Sequence, residues 1–194
     1  MNASTPLTIP ARGTFLPEQG GYFHGLYQLG SQLVGEVTGP KAECTVKGVV
    51  WHPDYIDIPG ATSDFDGLAN TLAMAEAGSP LAQAALACRA GGLDGWYVPA
   101  RGGQLLQWGA RLDLPEDEAF EPRWHWSSTQ YSRNLAFYQY FDDGRTTADL
   151  KDWEHGCARF VRRFKPRTVH RPGPGAGLPR LPRWKAQHGQ RPAL

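Results

Sequence analysis

Trp124-His125-Trp126-Ser127-Ser128-Thr129-Gln130 and, one loop later, Ala136-Phe137-Tyr138-Gln139-Tyr140-Phe141 are the runs on which a reading of this chain turns. Residues 124–128 and 136–141 both have the aromatic, alternating make-up of strands. In the second run, alternation puts Phe137, Gln139 and Phe141 on one face and Tyr138 and Tyr140 on the other. Phe137 and Phe141 are assigned to the core, so that Tyr138 and Tyr140 point outward beside Tyr131, Arg133 and Asn134 of the preceding loop. Asp142-Asp143-Gly144 supplies a tight turn, after which residues 145–149 and 157–164 read as further strands.

Working back toward the start, residues 22–29 and 32–38 form a hairpin signal around Gly30-Ser31, and the β-branched run 45–51 suits another strand. Ser63 or Asp64 is placed to cap a helix in which Phe65, Leu68, Leu72 and Ala75 recur at helical spacing before Gly78. Ser79-Pro80 then opens a second helix over 81–89, stopped by Gly91-Gly92. Residues 96–99 read as a short strand and 103–110 as a short third helix. The expected class is α+β: short antiparallel strands with two to three helices.

The chain has 194 residues and a formal net charge of +1. That sum hides a division: residues 1–164 carry 13 Lys+Arg against 19 Asp+Glu, while residues 165–194 carry seven and none. A mildly acidic body therefore leads into a strongly basic segment, which also holds six of the 16 prolines. Such a segment cannot build its own core and reads as a flexible or polyproline-like tail. Residues 1–19, with Pro6, Pro10, Gly13 and Pro17, read as an extended arm ordered only by docking. The expected division is thus 1–19 arm, 20–164 folded domain, 165–194 tail.

No run approaches the roughly 20 apolar residues that cross a bilayer. The first residues lack the basic start and apolar stretch of a signal peptide, so neither export nor membrane insertion is expected. Cys44, Cys88 and Cys157 are dispersed and lack Cys-x-x-Cys spacing, which favours buried free thiols over a disulfide framework or a zinc site. His52, His125 and His155 have no ligand spacing, and Asp64, Asp66 and Gly67 lack the carboxylates that a calcium loop needs. Glu121-Pro122-Arg123 resembles the Glu-Pro-Asn signature of calcium-dependent lectins, with Arg in place of the ligating amide. No metal or other cofactor is therefore expected. Cys157 lies close to His155 and Arg159 on a shared strand face, but no recognisable nucleophile motif surrounds it.

In chain order, Gly20-Gly21-Tyr22-Phe23, Pro40-Lys41-Ala42-Glu43, Asp66-Gly67-Leu68-Ala69-Asn70-Thr71, Ala73-Met74-Ala75, Gly95-Trp96-Tyr97-Val98-Pro99, Trp126-Ser127-Ser128-Thr129-Gln130, Phe141-Asp142-Asp143-Gly144 and Val161-Arg162-Arg163 form a connected pattern. Over residues 20–164 it resembles the Lcl C-terminal-like family of phage virion proteins and bacterial surface adhesins. The resemblance implies a C-type-lectin-like fold, related to formylglycine-generating enzymes and to the variable tropism proteins of retroelements. It also implies a ligand surface between the Trp-Ser-Ser block and the last strand, carried here by Tyr131, Arg133, Asn134, Tyr138, Tyr140, Asp143 and Arg145. The helix start Pro99-Ala100-Arg101-Gly102-Gly103 departs from the family by lacking a hydroxyl cap and an acidic first turn.

The expected function is that of a non-enzymatic virion component, repeated as a homo-oligomer in a particle assembled in the host cytoplasm. At a tail tip, fibre or baseplate it would contact a host surface glycan or protein; the alternative is a capsid decoration or baseplate scaffold subunit. An oxidase of the formylglycine-generating type shares the implied fold but needs a paired-cysteine copper site, against which the dispersed cysteines argue. Nucleic acid is a disfavoured partner because the body is acidic, although Lys165, Arg167, Arg171, Arg180, Arg183, Lys185 and Arg191 could neutralise phosphates and Trp184 could stack on a base. Those same tail residues are expected to anchor the chain in an acidic groove of a neighbouring virion subunit. A chain cut before Lys165 should therefore stay folded yet fail to co-sediment with assembled particles; normal incorporation would remove the anchoring role.

Overall fold

Gly30, at φ +59°, lets the chain reverse in two residues, and the strands on either side pair as the hairpin signal requires. The computed structural model describes residues 9–166. Phe15–Leu16 (β1), Gly21–Leu29 (β2) and Gln32–Thr38 (β3) run antiparallel, with a bulge at His24 between the Phe23↔Val37 and Gly25↔Glu36 pairs. The segment read as an arm therefore contributes β1, docked on the chain's own second strand. Of the tail residues, Lys165 is exposed; Arg167, Arg171, Arg180, Arg183, Trp184, Lys185 and Arg191 lie outside the described residues.

Thr45–Lys47 (β4), which follows the one-turn helix Lys41–Cys44 (α1), occupies the start of the expected strand 45–51, whose remainder is loop. Gly67–Glu76 (α2) is capped by Asp66, not by Ser63 or Asp64: the Asp66 Oδ1 accepts from the Ala69 N–H at 3.0 Å. Its buried face is Gly67, Asn70, Thr71 and Met74, whereas Phe65 and Leu72 of the expected apolar stripe are about half exposed. The polar face wins because Asn70 bonds both backbone groups of Ser63, and Thr71 bonds both backbone groups of Val98; buried polar groups with such partners cost little. Pro80–Ala87 (α3) starts as expected, with the Ser79 hydroxyl accepting from Ala82 N–H and Pro80 at the first helical position.

Arg101–Gly109 (α4) begins at the paired glycines that argue against a helix start. No side chain caps it from Ala100. Instead the Arg101 N–H donates to Thr129 Oγ1 at 3.0 Å and the Gly102 N–H to the Asp64 carbonyl at 2.7 Å, so the cap is supplied across space. The glycines are needed for approach: a Cβ on Gly103 would sit 2.7 Å from Glu36 Oε1, and one on Gly102 would meet the Phe65 ring at 2.5 Å.

Trp124–Gln130 (β5), Leu135–Tyr140 (β6), Thr146–Leu150 (β7) and Cys157–Arg159 (β8) join β4 in a second sheet of order β4-β8-β5-β6-β7. The expected single strand 157–164 is broken. At Phe160 the chain leaves this sheet, and Val161–Phe164 (β9) pairs instead with β3, completing a first sheet of order β1-β2-β3-β9. The segment 96–99 makes only a two-bond bridge, Tyr97 with Val161. Over the described residues the chain is thus mixed α+β with two sheets. Trp51, Trp96 and Trp126, all fully buried, fill the core with Phe23, Met74, Leu81 and Phe160. Among the described residues no helix is long and apolar enough to cross a membrane.

One buried carboxylate stitches these parts together. Glu36 Oε2 accepts from Tyr27 OH at 2.9 Å and Tyr97 OH at 2.8 Å, while Oε1 lies 3.1 Å from His24 Nε2; Thr38 Oγ1 holds the other ring nitrogen at 3.0 Å. Burial, then the nearby Glu36 charge, push both tyrosine hydroxyls well above their ordinary acidity range, so they remain donors. Tyr97→Phe removes one of two donors to a buried oxygen and should cost about 1.5–3 kcal/mol in urea unfolding; a loss below about 0.5 kcal/mol would show that the hydroxyl is dispensable.

Candidate functional site

The loops most able to meet a ligand are arranged around a lysine. Lys151 is completely buried. Its Nζ donates to the Ile56 carbonyl at 2.7 Å and to Gln130 Oε1 at 2.6 Å, and lies 4.6 Å from the Trp51 ring centroid. Gln130 in turn accepts from the Ile58 N–H at 2.9 Å and donates to Asp57. The Lys151 backbone donates to the Asn134 carbonyl and accepts from the His52 N–H, each at 3.0 Å. One residue therefore ties together the loop before α2, the β5–β6 loop and the end of β7.

On this support stands a rim of exposed polar and aromatic side chains. Tyr131 is 59% exposed and makes an edge contact with Phe137. Arg133 Nε donates to the Tyr55 carbonyl at 2.8 Å, and the Tyr55 hydroxyl donates to Asp152 Oδ2 at 2.7 Å. Asn134 and Asp152 are exposed. The β5–β6 loop is itself closed, since the Tyr131 and Ser132 N–H groups both donate to the Leu135 carbonyl at 3.0 Å. Broad, few-rotor aromatics and adaptable polar groups on a rigid scaffold are what binding surfaces favour.

The structure divides the residues proposed for the ligand face. Tyr131, Arg133 and Asn134 lie at one end of β6 and Asp143 and Arg145 at the other, roughly 20 Å apart along a six-residue strand. At the second end, Arg145 Nε pairs with Asp143 Oδ2 at 2.7 Å, and its guanidinium stands over Tyr140 at 5.6 Å and Trp124 at 5.8 Å. Tyr138 belongs to neither surface. The alternation along β6 is as expected, but the strand is covered on both faces: Gln139 and Phe141 are buried on the side assigned to the core, and Tyr138 is buried on the side expected to point outward. Tyr138 is buried against Trp124, Trp126 and Trp153 with its hydroxyl on Asp149, and Tyr140 is half-buried. Phe137 is half-exposed on the opposite face beneath the Arg101 guanidinium, while Phe141, beyond the strand end, is buried against Phe120 and His125. Tryptophans on the neighbouring segments draw Tyr138 inward, because their large apolar area packs against its ring.

The other candidate groups take structural roles. His52 bonds the Asp54 backbone and the Ala77 carbonyl. Asp64 pairs with Arg101; Asp66 caps α2 and meets Arg163; Glu121 pairs with Lys47 and Arg123. His155 makes an edge-to-face contact with Trp153. The neighbour of Cys157 is His125, its partner across β8 and β5, and with Arg159, Phe120, Lys47 and Glu121 they line a shallow depression. Burial pushes the Cys157 thiol up to about 12 and His125 down to about 4, so no thiolate–imidazolium pair forms at neutral pH, and the thiol donates to the Trp124 carbonyl. Among the described residues no three His, Cys, Asp or Glu side chains gather as a metal site. Cys44 and Cys88, remote in sequence, do meet: their Sγ atoms are 3.7 Å apart.

Sequence reasoning missed Tyr55, Lys151 and Asp152. None has a local signal, since each matters only where separate loops converge. Burial moves the Lys151 ammonium down from 10.5 to about 8, partly opposed by Asp57. Between those values the unfolded chain keeps a proton that the folded chain has released, so this residue makes folding stability rise with pH across the window. Compared with Lys151→Met, the wild-type protein should gain up to about 3 kcal/mol between pH 8 and 10.5; a difference that stays flat with pH would contradict the burial of a charged lysine.

No family model matches this chain and no curated protein matches it, so the functional reading rests on the site geometry and on the motif resemblance described above.

Proposed function

We propose that this chain is a non-enzymatic binding module of C-type-lectin-like fold, displayed in repeated copies at the tail tip, fibre or baseplate of a phage particle. It holds a host surface glycan or protein on the rim formed by Tyr131, Arg133, Asn134, Tyr55 and Asp152. The observation that carries the reading is the convergence of three loops on Lys151 and Gln130, which presents exposed side chains on a support bonded at every point. Preorganisation of that kind lowers the entropy lost on binding. The first sheet holds the segments that lead to both arms, whereas the rim is built on the second. That layout suits a module attached through one sheet and presenting the other. Burial keeps the Cys157 thiol, the one beside a histidine and an arginine, protonated at neutral pH, the opposite of what a catalytic nucleophile needs, which supports a non-enzymatic role.

Binding of the purified full chain to susceptible host cells tests the reading. Tyr131→Ala with Asn134→Ala touches no backbone tie and should weaken binding at least tenfold, the loss expected for an interface anchor. Tyr140→Ala with Arg145→Ala examines the second patch and should leave binding within about threefold. Full binding by the first double variant would overturn the assignment of the rim. Absence of binding by the wild-type chain, together with poor assembly of particles that lack it, would replace a receptor role by a decoration or scaffold role.

A further inference from the structure

The geometry points to a modification site: Cys44 and Cys88 are a preorganised thiol pair that closes to an intrachain disulfide when a small-molecule disulfide such as oxidised glutathione is the oxidant. The two sulfurs stand in van der Waals contact at 3.7 Å although 44 positions separate them. Their segments are held together by contacts other than the one between the two sulfurs. Glu43, the neighbour of Cys44 in α1, accepts from the Gly91 N–H through its side chain at 3.0 Å, and its carbonyl receives the Cys88 thiol at 3.6 Å. Cys88 is itself the C-cap of α3, with its N–H on the Ala85 carbonyl at 3.1 Å. Both ends of the prospective cross-link are thus anchored in hydrogen-bonded segments, so closure requires sulfur movement and little backbone rearrangement.

The pair is also asymmetric in a way that orders the chemistry. Cys44 is completely buried and Cys88 half-buried, so an external oxidant meets Cys88 first. The Cys88 thiolate, its proton lost to solvent, attacks one sulfur of the small disulfide. That S–S bond breaks, and one thiolate leaves with the electron pair. Cys44 then gives up its proton and attacks the Cys88 Sγ, forming the protein S–S bond as the second small thiolate departs. In sum, two protein thiols are oxidised by two electrons and one small disulfide is reduced to two thiols. Burial holds the Cys44 thiol protonated at neutral pH, so the second step is the slower one and accelerates as pH rises.

The test uses the full chain, purified under reducing conditions, desalted, and incubated with millimolar oxidised glutathione. The thiol count in denaturant should fall from three to one, with a mass loss of about two hydrogens and no glutathione adduct. A non-reducing peptide map should link the segments bearing Cys44 and Cys88. Closing so long a loop should raise the apparent Tm by roughly 5–10 °C, reversed by dithiothreitol. Cys88→Ser, a change at a half-buried position that spares the core, should keep both of its remaining thiols through the same treatment. An unchanged count of three, a stable adduct on Cys88, or a cross-link through Cys157 would overturn the proposal.

Discussion

A strand that is both buried and polar is the constraint on which the rest of the molecule depends. Ser127, Ser128, Thr129 and Gln130 of β5 are all buried, and polar groups in such a position must be bonded or the fold loses about 1–3 kcal/mol for each. Each finds its partner in a different part of the chain. Ser127 reaches the Phe137 carbonyl, Ser128 receives Asn70, Thr129 bridges the start of α4 to Ser63, and Gln130 holds Ile58, Asp57 and Lys151. Satisfying this one strand therefore places two helices and two loops. The register shift between Trp126 and Gln130 frees backbone groups for further ties of this kind: the Ser127 carbonyl accepts from Trp51 Nε1 and the Ser128 N–H donates to the Pro99 carbonyl, each at 2.8 Å.

The two sheets communicate through equally specific polar contacts. Phe160 carries the chain from one sheet to the other, with its N–H on the Cys44 carbonyl and its carbonyl receiving the Gly39 N–H. Arg159 beside it is nearly fully buried, bonded to the Gly39 carbonyl and to Glu118. Glu36 joins β3 to Tyr97 and excludes a side chain at Gly103. Partnered charges of this sort add specificity more than net stability, because desolvation offsets much of their attraction; the apolar contribution comes from the buried tryptophans.

The rim inherits its order from that interior. Tyr131, Arg133 and Asn134 sit on a loop whose far side is bonded to Lys151, and Tyr55 is held by Arg133 and Asp152. Loops tied in this way meet a ligand without first being ordered, which is why a candidate surface is found where hydrogen bonds converge and not simply where aromatics are frequent. Tyr138 illustrates the distinction: an aromatic of favourable type, two positions from Tyr140, is drawn inward by three tryptophans and supports the surface from beneath.

Local chemistry was legible where a residue's role depends on its neighbours in the chain. The Gly30 hairpin, the Ser79-Pro80 helix start, the Asp142-Asp143-Gly144 turn and the period-two alternation of β6 are of that kind, because turn geometry, capping and pleat are settled within a few residues. What only the tertiary structure decided is which face of each element turns inward. In α2, Asn70 and Thr71 displace the expected Phe65 and Leu72; in β6, Tyr138 is buried on the side expected to point outward; at α4, Thr129 caps a helix from 28 positions away. The break at Phe160, the burial of Lys151 and the meeting of Cys44 with Cys88 belong to the same class. In each, the choice is made by a partner remote in sequence, and the free energy of that pairing exceeds any local preference.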